Sequence, residues 1–335
     1  MNVTPITIII PVFNSEKTIA KTLEAVLNQS YPNVEIIVVD DGSTDSTAKI
    51  IEMFIEISRA DNKKVISVYQ NNAGPASARN RGAKEANTEI IFFTDSDCVP
   101  HQNWIEQSLD AFKDKSVAVV AGSYGIANAE FLLARCVYQE ILYRHKYLMP
   151  QYPKSFGSYN FGIRKKIFEE VGGFNQNYRY ASGEDNDLSY KILKAGYKIY
   201  FEKKSLVDHY HPTQLKKYLK EQFRHGFWRF KMYQDHPAMI KGDDYTFGKD
   251  IIEIPWAGFI LMSLFLSLFG FIPIEIFLWL SIFLLMMEIY YAIFMAQENQ
   301  ERFYLGFVMF LRSFARMLGF VKGGLYYLNN IIINI

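Results

Sequence analysis

The stretch VEIIVVDDGS, residues 34–43, decides the fold because an apolar run changes within two residues into a polar turn. A β-branched run of this length that ends in turn residues is typical of a buried strand. We therefore predict a strand over Val34–Val39 that is ended by Asp40, Asp41 and Gly42. The following segment, Ser46–Ile57, has helical periodicity.

The same unit of strand, polar turn and helix recurs on both sides of this stretch. Predicted strands are Ile6–Ile10, Val65–Tyr69, Glu89–Phe93 and Val117–Ala121, and predicted helices are Ser15–Asn28, Pro75–Ala86 and Trp104–Phe112. This alternation predicts an α/β domain, Rossmann-like, with a mainly parallel sheet and helices on both faces.

Charge and cysteine content exclude several classes of protein. The 335 residues carry a formal net charge of +1, so no overall positive field exists to attract nucleic acid. The two cysteines, Cys98 and Cys136, stand far apart and have no CxxC partner, which argues against a disulfide framework or a zinc ribbon. No nucleic acid is expected among the partners.

Two apolar segments near the C-terminus predict a membrane hairpin. Ile254–Ile274 contains no charge, and Ile276–Ala296 is interrupted only by Glu288. About 20 apolar residues cross a bilayer core, so residues 253–297 are predicted to form two transmembrane helices. A pair of buried core helices is disfavoured because little chain remains to surround them. Glu288 is expected to face the partner helix or an interface, since a charge facing lipid is costly.

Basic residues flank this hairpin on both sides. The preceding region, residues 213–252, is basic and rich in aromatic residues, and Arg302, Arg312, Arg316 and Lys322 follow the hairpin. This pattern predicts a multi-pass protein of the cytoplasmic membrane with its catalytic domain on the cytoplasmic side. Membrane lipids are the expected partner of Lys216–Lys231. Residues 298–335 are expected to form an interfacial amphipathic helix or tail, a third membrane segment being the alternative.

Paired acids follow two of the predicted strands. They are Asp40 with Asp41, and Asp95 with Asp97. Ligands of such sheets bind outside the carboxyl ends of the strands, and hard divalent cations prefer oxygen ligands. Each motif taken alone is equally compatible with an ordinary capped turn.

Three further motifs carry polar groups next to predicted elements. Arg79 lies on a predicted helix after a glycine-containing loop, and the N–H donors of its planar guanidinium suit hydrogen bonds to a base or a phosphate. Gly183–Leu188 opens a helix with acids that either cap it or remove a proton from an acceptor. Asp208–His211 places two histidines at a strand end, where imidazole can complete a metal site.

Taken in order, these motifs resemble the family 2 glycosyltransferases, which have a GT-A fold. The resemblance covers about Ile6 to His211, and so a catalytic domain of residues 1–212. The matching pieces are Ile10–Asn14, Val39–Ser43, Ala78–Asn80, Thr94–Asp97, Gly172–Phe174 and Gly183–Asp185.

The resemblance implies a nucleotide-diphosphate sugar, of UDP or GDP type, as donor and Mn²⁺ or Mg²⁺ as cofactor. The implied nucleotide-sugar-binding residues are Pro11, Phe13, Glu16, Asp40, Asp41, Ser43, Arg79 and Asp95. The implied metal ligands are Asp95, Asp97 and His209, with His211 as the alternative histidine.

The resemblance also implies an inverting reaction in which Asp185 is the general base and Glu184 helps to place the acceptor. The acceptor would be a hydroxyl of a glycan or of a lipid-linked molecule. Processive synthases of the family carry a Gln-x-x-Arg-Trp motif, which is absent here because Trp228 is misplaced relative to Gln222 and Arg224. Transfer of a single sugar is therefore expected.

Three rival functions remain at this point. A polyprenyl-phosphate glycosyltransferase of the same family attacks with a phosphate and needs no base. A nucleotidyltransferase would carry a glycine-rich phosphate loop near the N-terminus, which Pro11–Lys17 is not. A non-catalytic membrane scaffold is disfavoured by the presence of both metal carboxylates and Asp185.

Overall fold

The computed structural model describes residues 4–60, 64–178, 182–241, 244 and 248–333. These residues belong to two compact units. The first lies within residues 1–127 and 149–210, and the second within residues 128–148 and 211–335.

The first unit is an eight-stranded sheet with helices. Its strands are β1 (Ile6–Val12), β2 (Val34–Asp40), β3 (Lys64–Tyr69), β4 (Ile90–Thr94), β5 (Cys98–Pro100), β6 (Val117–Ile126), β7 (Asn160–Arg164) and β8 (Lys198–His209). Its helices are α1 (Ile19–Leu27), α2 (Thr47–Ala60), α3 (Pro75–Glu85), α4 (Trp104–Leu109), α6 (Lys165–Glu170) and α7 (Glu184–Lys194).

The strands lie in the order β3-β2-β1-β4-β7-β6-β8-β5. Strands β1 to β4 run parallel to one another, as do β6 and β8. Strand β7 runs antiparallel to β4 and β6, and β5 runs antiparallel to β8. The predicted α/β sheet is confirmed, and its two antiparallel members were not indicated by the sequence pattern.

Helices cover both faces of this sheet because consecutive side chains of a strand point to opposite faces. Ile8 and Ile10 of β1 pack in one cluster with Leu23 of α1. Ile9, between them, packs on the other face against α3, where Gly82 makes room for it. A Cβ atom on Gly82 would lie 2.4 Å from Cγ2 of Ile9, so α3 sits directly on the strand. The prediction of helices on both faces is confirmed.

The second unit is helical. It comprises α5 (Leu132–Tyr147), α8 (Leu215–Asp235), α9 (Gly248–Leu268), α10 (Ile274–Met295) and α11 (Asn299–Ile333). Helices α9, α10 and α11 up to Leu328 are long and apolar enough to cross a membrane. Whether residues 298–335 are interfacial stays a prediction.

The charge-free run of the sequence extends to Ile274, but the first helix of the hairpin, α9, already ends at Leu268. Gly270 has φ = +74°, a left-handed conformation that terminates helices. The N–H of Phe271 donates to the carbonyl of Leu266 at 2.9 Å, which closes the last turn. Pro273 then precedes α10.

Glu288 is fully buried, and its Oε2 accepts a hydrogen bond from Nζ of Lys249 in α9 at 2.9 Å. The prediction that this acid faces the partner helix is confirmed. Lys249 itself lies before the apolar run that the sequence pattern marked, because α9 starts earlier than that run.

Candidate active site

The turn after β2 is built by its first aspartate. Oδ1 of Asp40 accepts a hydrogen bond from the N–H of Ser43 at 2.9 Å. Gly42 has φ = +79°, and a Cβ there would lie 3.0 Å from the backbone nitrogen of Asn72. Asp40 therefore supports the turn, whereas its implied part in nucleotide-sugar binding stays a prediction.

Asp41 organises the loop that leads from β3 to α3. Its Oδ1 accepts from Nε2 of Gln70 at 2.6 Å and from the N–H of Ala73 at 2.9 Å. Its Oδ2 accepts from the N–H of Gly74 at 2.8 Å. Asp41 is buried, and both of its carboxylate oxygens are bonded to this loop.

The loop after β1 is fastened to the same turn. The N–H of Asn14 donates to Oγ of Ser43 at 3.0 Å, and Oε2 of Glu16 accepts from the N–H of Ser46 at 3.0 Å. Phe13 leaves 48% of its surface exposed, whereas Pro11 is buried in β1. Phe13 is thus an exposed aromatic side chain of this loop, while Glu16 and Ser43 bind the loop to the turn.

Arg79 joins two of the predicted motifs through a buried bridge. Its Nη2 donates to Oδ1 of Asp95 at 2.6 Å, and its Nη1 donates to Oε1 of Glu184 at 3.1 Å. The guanidinium lies 5.4 Å from the ring centroid of Phe174. The sequence pattern placed Arg79 towards the nucleotide and did not indicate this bridge.

The neighbouring asparagine fastens a third motif. Nδ2 of Asn80 donates to the carbonyl of Phe174 at 2.8 Å, and the N–H of Phe174 donates to Oδ1 of Asn80 at 2.9 Å. Gly173 has φ = +62°, and a Cβ on it would lie 2.7 Å from Oδ1 of Asn80. The Ala78–Asn80 and Gly172–Phe174 motifs therefore bind each other through the side chain of Asn80 and the backbone of Phe174.

The acids of α7 sit after Gly183, which has φ = +101°. Glu184 is buried, and its Oε2 accepts from the N–H of Ser182 at 2.7 Å. Burial and the charge of Asp185 raise the pKa of Glu184 to about 7, against the opposing effect of Arg79. Two adjacent carboxyl groups in a desolvated place resist ionising together.

Asp185 is half-buried, and the N–H of Asn186 donates to its Oδ1 at 2.8 Å. Burial raises the pKa of Asp185, although this hydrogen bond and Arg79 act the other way. A carboxylate with a raised pKa is a better proton acceptor once it is ionised.

Asp97, Cys98 and His209 form a cluster whose possible ligand atoms all lie within 4.8 Å of one another. The antiparallel pairing of β5 with β8 sets Cys98 opposite His209, and Oδ1 of Asp97 lies 3.5 Å from Nε2 of His209. Burial and the charges of Asp97 and Asp95 raise the pKa of the Cys98 thiol well above its usual value. Soft thiolates favour Zn²⁺ and Cu⁺, whereas carboxylate oxygens suit Mn²⁺ and Mg²⁺, so Asp97 is the member of this cluster that best suits those two ions.

The other two candidate ligands are placed differently. Asp95 is not part of this cluster, and its Oδ1 is held by Arg79. His211 is buried in the second unit, where its backbone N–H donates to Oδ1 of Asn128 at 3.0 Å. Of the two histidines, the fold brings His209 to Asp97.

Comparison with known proteins agrees with these features. The chain matches the model described as glycosyl transferase family 2 over residues 7–172, and the model described as glycosyl transferase family group 2 over residues 90–297. It is 31% identical over 230 residues to the glycosyltransferase AglE of Haloferax volcanii, which is 66% of this chain and 71% of that protein. It is 30% identical over 241 residues to the pre-mycofactocin glycosyltransferase of Mycobacterium tuberculosis. That match covers 69% of this chain but only 48% of the relative.

Solved structures share the fold. The mannosyltransferase PcManGT from Pyrobaculum calidifontis, in complex with GDP-Man and Mn²⁺, has a TM-score of 0.64 at 18% identity, covering 94% of this chain and 87% of that one. GalNAc-T7 with UDP, GalNAc and Mn²⁺ has a TM-score of 0.50 at 18% identity, covering 70% and 55%. The fold is thus of the GT-A type, and the chain is a glycosyltransferase that belongs to glycosyltransferase family 2.

Proposed function

We propose that this enzyme transfers one sugar from a nucleoside diphosphate sugar, of UDP or GDP type, to a hydroxyl of a glycan or lipid-linked acceptor with inversion. The observation that carries the proposal is the Arg79 bridge, which ties Asp95 at the end of β4 to Glu184 at the start of α7. The buried guanidinium of Arg79 thereby joins Asp95, which is expected to lie beside the donor, to α7, which bears the expected base. GDP-Man and UDP in the structural neighbours support the donor class.

In this proposal Asp97 and His209, together with Asp95 as the resemblance implies, hold Mn²⁺ or Mg²⁺. Such an ion supplies positive charge that offsets the charge of the diphosphate leaving group. Mn²⁺ in both structural neighbours supports this assignment. Asp41 accepts from the base, and Phe13 lies against the nucleoside.

The chemical step that the residues of this chain perform is proton removal. Asp185 takes the proton of the acceptor hydroxyl while the acceptor oxygen attacks the anomeric carbon. One carbon–oxygen bond forms as the bond to the diphosphate breaks, so a single displacement inverts the configuration. Positioning and fixed charge supply most of the rate enhancement in such a step.

The membrane is part of the proposal. Three helices long and apolar enough to cross a bilayer support attachment to it. We infer that the chain is a cytoplasmic-membrane protein whose catalytic domain faces the cytoplasm, where nucleotide sugars are made, and that a lipid-linked acceptor reaches it at the bilayer surface.

A panel of nucleotide sugars tests the proposal, with Mn²⁺ present and release of the nucleoside diphosphate as the readout. We expect at least one donor to be consumed, and Asp97→Ala to lower that rate by about 100-fold or more because the metal supplies several kcal/mol. Asp110→Ala, at an exposed acid that pairs with Lys113, is the matched control and should leave the rate unchanged. Full activity of Asp97→Ala would overturn the metal assignment.

A further inference from the structure

The outer face of α11 is a continuous apolar stripe. Its exposed members recur at intervals of three and four residues or their sums, namely Phe303, Phe307, Leu318, Val321, Leu325 and Leu328. A stripe of this length on one face of a helix is the pattern of an amphipathic helix whose apolar side meets an apolar medium.

Helix α8 lies beside α11 without a gap and runs in the same direction. A Cβ on Gly319 would lie 2.0 Å from the carbonyl oxygen of Phe223, and one on Gly323 would lie 2.5 Å from that of Phe227. Both helices advance by four residues between these two contacts, so they are parallel. Backbone contact this close leaves no room for lipid between them, and wherever α11 lies, α8 lies with it.

The basic residues of α8 then decide where the pair can lie. Lys216, Lys217 and Lys220 are exposed, and Arg224 and Arg229 are half-buried. If α11 crossed the bilayer, α8 would carry these cations into the hydrocarbon, where charged side chains are rare and costly. Charges at the surface instead meet lipid phosphate groups.

Buried ion pairs fasten α11 to one end of the α9–α10 hairpin. Nη1 of Arg316 lies 2.9 Å from Oε1 of Glu253, and Nη2 of Arg312 lies 3.6 Å from Oε2 of the same glutamate. Glu253 and Lys249 are in the first turns of α9, and Lys249 binds Glu288 near the end of α10. The middle of α11 is therefore fastened to the open end of the hairpin.

The opposite end of the hairpin is apolar and exposed. Its large exposed side chains include Phe265, Leu268, Phe271, Leu278 and Trp279. At about 1.5 Å per residue, the 30 residues of α11 from Asn299 to Leu328 are about 45 Å long, well beyond a hydrocarbon core of about 30 Å. An upright α11 is therefore a poor fit, whereas α9 and α10 match the core.

We propose that α8 and α11 form a parallel helix pair in the plane of the membrane surface. The stripe of α11 faces the hydrocarbon, the lysines of α8 lie among anionic phospholipid headgroups, and the α9–α10 hairpin alone enters the bilayer core. This inference uses only the helical unit and does not depend on the reaction proposed above.

Depth measurements with spin labels test the proposal on the full-length enzyme in liposomes that contain anionic phospholipid. Single cysteines replace Phe303, Phe307, Leu318, Val321 and Leu325 in turn, and power saturation reports the depth of each label. The native cysteines are both buried, and the unsubstituted enzyme measures their background. Cysteines at Leu278, Ile282, Met286 and Tyr290, which are exposed on α10, provide a helix expected to cross the core.

We expect equal, shallow depths for all five α11 labels, although the first and last are about 33 Å apart along the helix. Labels at Lys217 and Lys220 should lie at the phosphate level, and the α10 labels should change depth by about 1.5 Å per residue. A depth profile along α11 that deepens to the bilayer centre and returns, as a crossing helix requires, would overturn the proposal.

Discussion

Replacing Asp185 with asparagine is expected to lower the rate of sugar transfer to a hydroxyl acceptor by about 10²–10⁴-fold, the usual contribution of a general base. Asparagine has nearly the shape of aspartate and keeps an oxygen for the N–H of Asn186, which bonds Oδ1 at 2.8 Å. The start of α7 should therefore stay folded while the proton acceptor is lost. Initial rates at saturating donor measure the effect.

The control for this variant is Glu106→Gln, which removes an exposed acid elsewhere in the catalytic unit and should not alter the rate. An Asp185→Asn enzyme with full activity on a lipid phosphate would instead support a polyprenyl-phosphate glycosyltransferase. That result would remove Asp185 from the mechanism and leave the donor site as proposed.

The pH dependence of the wild-type rate gives a second readout of the same residue. A base works only when ionised, and burial raises the pKa of Asp185 while that of Glu184 is raised to about 7. The two carboxyls titrate as a pair. The rate should therefore rise with pH through a midpoint clearly above the usual carboxyl value near 4, and Asp185→Asn should abolish that rise.

Replacing Arg312 with methionine is expected to destabilise the helical unit by about 3–5 kcal/mol, the usual cost of removing one partner from a buried ion pair. Nη1 of Arg312 donates to both carboxylate oxygens of Glu140, at 2.8 and 2.7 Å. Methionine would leave Arg144 as the remaining arginine that hydrogen-bonds that carboxylate. It would also remove one of the two cations beside Oε2 of Glu253, the other being Lys249. Unfolding in detergent, followed by helical circular dichroism, measures the loss.

Lys217→Met is the matched control because it removes one positive charge at an exposed position of the same unit. It should change stability by no more than about 0.5 kcal/mol. The double change of Arg312 and Glu140 to methionine should recover much of the loss, since an apolar pair can replace a buried ion pair. Equal stabilities of Arg312→Met and Lys217→Met would contradict the account of this network.

Local sequence predicted the parts of the site that local geometry builds. The turn after β2 follows from Asp40 and Gly42, because a carboxylate that accepts the N–H three residues on and a residue that tolerates positive φ are both features of the turn itself. Strands β1 to β4 and β6 were predicted for the same reason, from apolar and mostly β-branched runs, whereas the antiparallel strands β5 and β7 were not.

Long-range pairings were not predictable from the pattern. Arg79 and Glu184 are 105 residues apart, and nothing in either motif indicates the other as its partner. The catalytic domain was expected to be continuous to residue 212, yet residues 128–148, which include α5, belong to the helical unit. Glu140 and Arg144 of this helix are buried, and their charges are compensated by Arg312 and Asp250. These partners lie more than 100 residues later in the sequence.

The central claim is that Asp97 and His209 hold a divalent ion that binds the diphosphate of the donor. Titration calorimetry of UDP and of GDP into the enzyme, with and without Mn²⁺, tests it most directly. The account predicts that at least one nucleotide binds, that this binding requires Mn²⁺, and that Asp97→Ala and His209→Ala both weaken it severely. Nucleotide binding that is equally tight without Mn²⁺ and in Asp97→Ala would contradict it.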